Sequence, residues 1–388
     1  MYYYNNDYRG KQMINSNDFG YLVHLLKCAL NGSRPNEKPD NVSFENVFNG
    51  AIKHDVANLA FYAVEKLENK PEYDLYDNWR QVRDLAVIRD IYQGFAYDEL
   101  CAELQKAGIR RLEIQGTVVK RYYPQPDMRT MSDIDFVVDK ENLVKIKPIL
   151  EKLGYESDCH IEEIDAHKEP KINLEFHAKV FDTKPFTDCF ANAFENAKSK
   201  DGTAYYFSNS DFYVYNMFHL LKHLFYVNGC GIRRFCDIYL LNKALKGSLE
   251  REYIHSMYEK YGVSDKAEAV ERLADALFGD GVLTDDLQAL YDELMNSAVH
   301  GTTVVRAKND LNNIIKDGKR FAKLRYWLNR VFPPYEKMVW TYPQLKNKKA
   351  LTPIYYLRRI FRIVFKERHR IKRACSAIKK ADKEMKNG

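Results

Sequence analysis

The chain has 388 residues, with 45% hydrophobic and 29% charged residues and a formal net charge of +6, which is the composition of an ordinary folded globular protein. Its seven cysteines are scattered and form no CxxC pair, which argues against a disulfide framework or a zinc knuckle and for a reducing compartment. No stretch approaches the ~18 apolar residues of a membrane span, and the N-terminal MYYYNNDYRGKQ lacks the apolar core of a signal peptide, so we expect a cytoplasmic protein.

The positive charge is concentrated at the C-terminal end. From Ile354 to Gly388 there are twelve Lys or Arg residues and three Asp or Glu residues, which leaves a net charge of −3 for everything before them. The body of the protein is therefore slightly acidic, and its basic character belongs to a tail.

Residues 1–107 are predicted to form an N-terminal helical region. Apolar residues recur at helical spacing in 19–32 and 45–68, and a longer helix is predicted from about residue 78 to residue 106, where Gly108 ends it. The apolar stripe that we expect this long helix to bury consists of Val82, Leu85, Ile88, Ile91 and Leu100.

Residues 108–208 are predicted to form a small α/β core. A strand, IRRLEIQG, is followed by the helical stretch TVVKRYY, a loop, and the strand DIDFVVD. Asp139 is the expected N-cap of the next helix, KENLVKIKPILEKLG, and two strands follow, YESDCHIEEI and KINLEFHAKVF. This order of strands and helices predicts a mixed sheet.

Residues 209–345 are predicted to form a C-terminal helical domain, and residues 346–388 a basic amphipathic tail helix. Such a tail could contact an anionic membrane, bind the phosphates of a nucleic acid, or dock its apolar side on the body with its charges in water. Its apolar residues at helical spacing are Ile354, Leu357, Phe361, Val364 and Phe365. The expected fold class is α+β, a small mixed β-sheet core flanked by N-terminal and C-terminal helical regions.

The segment RTMSDIDFVV carries two acidic residues at an unusual place. Asp133 and Asp135 lie two positions apart in a strand, so their side chains share one face while Ile134 and Phe136 share the other. A polar strand face in contact with water is the simplest interpretation. The neighbouring motifs favour a second one, a site for metal and phosphate.

Two groups of residues before this strand suit phosphate binding. Gly116 and Thr117 begin a helical stretch directly after a strand, where the backbone can approach a phosphate and free N–H groups are available. Lys120 and Arg129 are cations able to meet a polyphosphate.

A later strand, INLEFHAKV, supplies a third carboxylate. Its alternation places Glu175 and His177 on one face, and pairing with the Asp133–Asp135 strand would bring Glu175 to the two aspartates. Three converging carboxylates suit Mg²⁺, and two ions ~3.5–4 Å apart can bridge carboxylates and phosphate oxygens. The sequence therefore predicts a magnesium and nucleotide site.

These motifs, in this order, resemble the DNA polymerase β-like nucleotidyltransferase superfamily, whose signature is Gly followed by Gly or Ser, then Asp-x-Asp and a later carboxylate. The match is closer to a bacterial branch of uncharacterised nucleotidyltransferases often associated with surface-polysaccharide genes. The stretches that carry the resemblance are QGTVVKRYYPQPDMRTMSDIDFVV, LEFHAKV and HLLKHLFYVNGCGIRRFCDIYLL.

The resemblance implies a function and roles for individual residues. Asp133, Asp135 and Glu175 would be the catalytic carboxylates that hold two Mg²⁺ ions, with Mn²⁺ as a substitute. Gly116 and Thr117 would hold the β- and γ-phosphates of an NTP. Thr117 stands where Gly or Ser is usual and Gln115 where the branch tends to have Lys, so the phosphate assignment departs from the pattern. The implied reaction transfers an NMP to an acceptor, with a sugar or sugar-phosphate of surface-polysaccharide metabolism favoured.

Three further residues are candidates for nucleotide contact: His177, His223 and Arg233. His219 and His223 have the i, i+4 spacing of a zinc pair, but Leu220 replaces the Glu of a zinc-protease motif and no third ligand stands out. Structural ion pairing is the alternative for Arg233.

Two other functions fit the same residues. In a DxD-type glycosyltransferase the aspartates would hold a metal on a nucleotide-sugar, without need of Glu175 or the Gly116 turn. In a non-catalytic module the site would bind nucleotide for regulation or scaffolding. Metal-dependent turnover separates that module from either enzyme.

Overall fold

The computed structural model describes residues 14–298, apart from 161 and 228, and a broken set of residues between 325 and 365. Contacts divide the described residues into two units. The first lies within Met1–Lys222 and Cys230–Val299, and the second within His223–Gly229 and His300–Gly388. Within the described residues, no helix has the length and apolar character needed to cross a bilayer.

The first unit is a mixed sheet surrounded by helices, which confirms the α+β fold class. Its helices are α1 Ser16–Asn31, α2 Phe44–Lys53, α3 Ala57–Val64, α4 Tyr73–Lys106, α5 Gly116–Val119, α6 Leu143–Lys152, α7 Ala193–Asn196, α8 Asn209–Leu221, α9 Arg233–Leu245, α10 Arg251–Lys260, α11 Ser264–Phe278 and α12 Asp285–Asn296. Its strands are β1 Arg111–Glu113, β2 Ile134–Val138, β3 Glu156–Cys159, β4 Glu163–Lys168, β5 Ile172–His177, β6 Lys198–Ser199 and β7 Ala204–Tyr206.

The seven strands form one sheet in the order β3-β4-β5-β2-β1-β7-β6. Strand β2 pairs in parallel with β5 and antiparallel with β1. The two strands with the acidic motifs are thus neighbours at the centre of the sheet. Central position leaves both strands with backbone partners on each side, which holds their side chains in a fixed register.

One face of this sheet is apolar. Phe136 of β2 lies directly beside Phe176 of β5, and their rings stack with centroids 5.4 Å apart. Leu100 and Leu104 of α4 and Ile146 of α6 belong to the same buried cluster. Since successive strand residues point to opposite faces, this packing directs Asp135 and Glu175 to the other face.

The long helix α4 is present, but most of its predicted apolar stripe is wrong. Leu85, Ile88 and Ile91 are 51%, 49% and 52% exposed, whereas Leu100 is buried as predicted. The buried side recurs every seven residues, two helical turns, at Trp79, Ala86, Gln93 and Leu100. Gln93 is buried because its side-chain amide donates to the Met131 carbonyl, at 3.2 Å.

Three other local predictions differ from the structure. The 45–68 stretch is two helices, α2 and α3, separated where Asp55 takes a positive φ of 54°. YESDCHIEEI is not one strand, because β3 ends at Cys159 and β4 begins at Glu163. Asp139 makes no side-chain cap; its carboxylate accepts hydrogen bonds from Arg110 instead. The boundaries at 107, 208 and 345 stay predictions.

The second unit has a small apolar cluster of its own. Met338, Tyr342 and Leu345 are buried together, and Tyr355 packs against them. Its helix α13, Thr352–Phe365, exposes the side chains of Ile354, Leu357 and Phe361 by 61%, 61% and 64%. The side chains of Val364 and Phe365, and residues 366–388, lie outside the described residues. Contact of the tail with a membrane or a nucleic acid therefore stays a prediction.

Candidate metal and nucleotide site

Carboxylates line up across the polar face of the sheet. Asp135 of β2 is in register with Glu175 of β5, which is in register with Asp165 of β4. Adjacent strands lie ~4.8 Å apart, so three carboxylates in one row repel one another strongly. Asp133 precedes β2 and Glu163 begins β4. We call these five side chains, Asp133, Asp135, Glu163, Asp165 and Glu175, the acidic face.

His177 lies among these carboxylates. Its Nε2 is 3.3 Å from Asp135 Oδ1 and 3.5 Å from Glu175 Oε2, and its Nδ1 is 3.1 Å from Glu163 Oε1. Burial alone would lower the pKa of His177, but these three carboxylates raise it to about 12. His177 is thus an imidazolium at neutral pH, and its positive charge offsets part of the acidic face.

The carboxylates themselves are unequal. Burial, together with the charges of Asp135 and Glu175, raises the pKa of Asp133 to about 7. Burial also raises the pKa of Asp135, although contact with His177 opposes the shift. A hydrogen bond with His177 lowers the pKa of Glu175. The five carboxylates of the acidic face therefore carry more negative charge than His177 and His160, which is 3.6 Å from Asp165, can balance, and such an imbalance is a feature of functional sites.

The donor atoms suit a divalent cation. Ligand atoms of Asp135, Glu175 and His177 lie within 4.8 Å of one another, and the same is true of Glu163, Asp165 and Glu175. Asp133 belongs to neither group, but it shares a hydrogen bond with Glu175. Carboxylate oxygens are the ligands that Mg²⁺ and Mn²⁺ take, and the protonated ring of His177 would orient the carboxylates rather than coordinate the cation. The residues present fit the predicted metal.

The loop that leads into Asp133 is held at several points. Asn58 donates to the Asp127 carbonyl and Tyr62 to the Asp127 carboxylate, both at 2.7 Å. At the other end of the loop, Asn173 donates to the Ser132 carbonyl at 2.9 Å. Such anchoring fixes Asp133 beside β2 before any ligand binds, as a preorganised site requires.

Gly116 and Thr117 begin the short helix α5, as predicted for the phosphate turn. The preceding Gln115 has a positive φ of 55°. A Cβ on Gly116 would lie 2.5 Å from Met131 Sδ, so glycine lets the turn pack against the anchored loop. Thr117 is buried. The turn therefore packs against Met131, two residues before Asp133.

The three predicted phosphate-binding cations already have carboxylate partners. Lys120 Nζ is 2.9 Å from an oxygen of Asp90. Arg129 makes a two-point ion pair with Asp237, at 2.7 and 2.8 Å, and both side chains are 6% exposed. Arg233 pairs with Asp55.

These partners bear on the predicted roles of the cations. Each pair neutralises the positive charge that would attract a nucleotide phosphate. For Arg233, the observed ion pair is the structural alternative considered from the sequence. The nucleotide roles of Lys120, Arg129 and Arg233 stay predictions.

The histidine pair is divided between the two units, since His219 lies in the last turn of α8 in the first unit and His223 lies in the second. The nucleotide role of His223 stays a prediction. His219 Nδ1 accepts a hydrogen bond from Arg234 Nη1, at 2.8 Å, and its ring stacks on Tyr215 with centroids 5.8 Å apart.

Sequence reasoning did not single out Glu163 and Asp165. Their signal was present, because EIDAHK has the same alternation as DIDFVV, but the chain reversal after Cys159 was not recognised. A cavity of about 600 Å³ lies elsewhere in the first unit, lined by Asp188, Phe190 and Lys260 among others. Its lining includes no residue of the acidic face. The candidate site is therefore identified by its cluster of carboxylates and not by the size of a cavity.

Comparison with known proteins agrees with this geometry. Residues 40–279 match the sequence model of a family described as uncharacterised nucleotidyltransferases. The chain belongs to this family. The matched residues contain the Gly116–Thr117 turn, the acidic face and Arg234. Membership supports a general role in nucleotidyl transfer. Curated proteins and solved structures contained no match to this chain.

Proposed function

We propose that the protein is a divalent-cation-dependent nucleotidyltransferase that transfers an NMP from an NTP to an acceptor hydroxyl, phosphate or amine. The observation that carries the proposal is the register of Asp135 with Glu175 on adjacent parallel strands, with Asp133 beside them. The acceptor forms a bond to the α-phosphorus, the bond from that phosphorus to the bridging oxygen breaks, and pyrophosphate leaves.

Each residue then has a role that follows from its position. Asp133, Asp135 and Glu175 would hold the cations, which when bound neutralise the charge of the phosphates. The Gly116–Thr117 turn would receive the β- and γ-phosphates through backbone N–H groups. His177 is held as an imidazolium by three carboxylates, so it orients Asp135 and Glu175 and is a poor general base at neutral pH.

Two alternatives make different demands on these residues. A DxD-type glycosyltransferase needs no third carboxylate, whereas Glu175 lies with Asp135 in one ligand cluster. That arrangement and the family membership support nucleotidyl transfer. A non-catalytic nucleotide-binding module would keep the same geometry, so only turnover separates it from an enzyme.

Calorimetry tests the proposal. ATP, GTP, CTP, UTP and a set of nucleotide-sugars are titrated with and without Mg²⁺ into the wild type, Asp135→Asn and Asp98→Asn, a control that removes an exposed carboxylate of α4. We expect one NTP to bind only with Mg²⁺, and Asp135→Asn to weaken it by at least about tenfold, or 1.4 kcal/mol. The control should match the wild type.

Other outcomes separate the alternatives. Binding that ignores both Mg²⁺ and Asp135 would contradict the proposal, and preference for a nucleotide-sugar would indicate glycosyl transfer. Pyrophosphate release is then measured with candidate acceptors, beginning with sugars and sugar-phosphates because of the resemblance to polysaccharide-associated relatives. An NTP that binds but is never turned over would indicate a non-catalytic module.

A further inference from the structure

Arg234, the second residue of α9, differs from the other cations near the acidic face. Its guanidinium donates to His219 Nδ1 at 2.8 Å. Within the described part of the chain, no carboxylate lies within ion-pair distance of Arg234, whereas its neighbour Arg233 pairs with Asp55. Among the described residues, Arg234 is thus a cation that no carboxylate contacts directly.

This position is unfavourable for a free charge. The Arg234 side chain is only partly exposed, and burial lowers its pKa. Placing an unpaired charge in such surroundings costs free energy unless an anion compensates it. His219 is one hydrogen-bond acceptor, and a guanidinium has five N–H donors. Among the described residues, the bond to His219 is the hydrogen bond that Arg234 makes, and the other N–H donors of its partly exposed guanidinium suit an anionic ligand.

Arg234 also faces the predicted substrate site. Its charge acts on Asp135, where it lowers the pKa, and on the buried hydroxyl of Tyr215. Tyr215 stacks on His219 and shares a hydrogen bond with Gln115, the residue before the phosphate turn. Arg234, His219 and Tyr215 thus connect the acidic face with the turn at Gly116.

We propose that Arg234, oriented by His219, binds the β- and γ-phosphates of the nucleotide, an inference that rests on the proposed function. A planar guanidinium binds phosphate oxygens through two parallel hydrogen bonds. The electron pair of the broken bond stays on the leaving pyrophosphate, and a cation at this point stabilises that charge. Ion pairs with carboxylates neutralise Lys120, Arg129 and Arg233. Among the described residues, Arg234 forms no such pair.

Calorimetry with three probes tests the assignment. Inorganic tripolyphosphate, the NTP that binds the wild type and the matching NMP are titrated with Mg²⁺ into the wild type, Arg234→Gln, Arg234→Lys and Arg272→Gln. Arg272 is a control, since it is an exposed arginine paired with Asp286 in another part of the unit. Melting temperatures are measured for every variant.

We expect Arg234→Gln to weaken tripolyphosphate and NTP by at least about tenfold, with NMP affinity unchanged. Arg234→Lys should keep part of the affinity, because it preserves the charge and loses the fork of donors. The melting temperature of Arg234→Gln should equal or exceed that of the wild type, since an unpaired charge is removed. An arginine with a purely structural role would show a lower one.

The outcomes separate this inference from the proposed function. Metal-dependent NTP binding that Asp135→Asn loses and Arg234→Gln keeps would overturn the inference and leave the function standing. Tripolyphosphate binding that needs Arg234, without binding of any NTP, would support phosphate binding by Arg234 and contradict the proposed function. Equal losses for NMP and NTP, or no binding of any probe to the wild type, would overturn the inference.

Discussion

Two groups of charged side chains in the first unit differ in how their charges are balanced. Arg129 and Asp237 form a closed pair, in which Tyr123 adds a hydrogen bond to Asp237 at 2.7 Å. Burial would lower the pKa of Arg129, but the Asp237 carboxylate raises it. Among the described residues, the acidic face has five carboxylates against two histidines, His177 between them and His160 beside Asp165.

The difference separates structure from function. A matched pair satisfies its own hydrogen bonds and needs no ligand, so it anchors α9 to the loop before Asp133. An unmatched group is costly by itself and is stabilised by a ligand of opposite charge. Balance of charge therefore distinguishes the anchor from the site. The following predictions test that distinction, from the largest expected effect to the smallest.

Breaking the closed pair should have the largest effect. Arg129→Met leaves Asp237 buried without a cation, and we expect it to cost about 3–5 kcal/mol of unfolding free energy, measured with urea. The double variant Arg129→Met/Asp237→Leu should recover most of the loss, because neither charge then remains. A single variant as stable as the wild type would show that the pair is not sealed from water.

The acidic face should make stability depend on pH. Asp133 has its pKa raised from 3.8 to about 7, so between these values the folded protein binds more protons than the unfolded chain. Its contribution to stability is complete below the lower value and is lost as pH rises through about 7. Asp133→Asn should remove this contribution to the pH dependence. We expect the unfolding free energy of the variant to exceed that of the wild type by on the order of 2 kcal/mol above pH 7.

Mg²⁺ provides the control for this pH effect. A cation at the acidic face favours ionised Asp133, so Mg²⁺ should flatten the pH profile of the wild type more than that of Asp133→Asn. Denaturation at several pH values measures both. Identical profiles for the two proteins without metal would contradict the account.

Removing His177 should make the stability of the folded protein depend more strongly on a bound cation. His177→Gln loses the internal positive charge, and we expect it to cost about 1–3 kcal/mol without metal and less with Mg²⁺. Since the pKa of His177 is raised from 6.5 to about 12, its stabilisation is complete below the lower value and is lost as pH rises to the higher one, so most of the loss should be present at pH 7. His167→Gln, on the exposed part of β4, is the matched control. A loss that Mg²⁺ does not reduce would contradict the prediction.

An exposed ion pair should have the smallest effect. Lys140 and Glu162 are paired at 2.8 Å, but their side chains are 56% and 39% exposed. Water screens such pairs, so Lys140→Ala should change the unfolding free energy by less than about 1 kcal/mol. A change as large as that of Arg129→Met would show that exposure does not separate the two kinds of pair.

The faces of the central strands were predictable from sequence. Side chains alternate in every strand, so Asp133 and Asp135, and Glu175 with His177, could be assigned to one face before their pairing was known. The apolar residues between them identified the opposite face as core. These strands gave a strong signal because both patterns lie in short segments.

Other features depend on contacts between distant residues. The many apolar residues of α4 do not reveal which side meets the sheet, and the exposed Leu85 and Ile88 resemble core positions. Arg233 and Arg234 are adjacent, yet on a helix they point about 100° apart. Only the folded chain shows that Arg233 meets Asp55 and that Arg234 turns toward His219.

The most direct test of the acidic face is a crystal structure with Mn²⁺ and a non-hydrolysable analogue of the NTP that binds. Anomalous scattering from Mn²⁺ marks the position of the metal independently of activity. The account predicts anomalous peaks in contact with the carboxylates of Asp135 and Glu175, beside the phosphates of the analogue. Peaks elsewhere, or an analogue bound away from the acidic face, would contradict it.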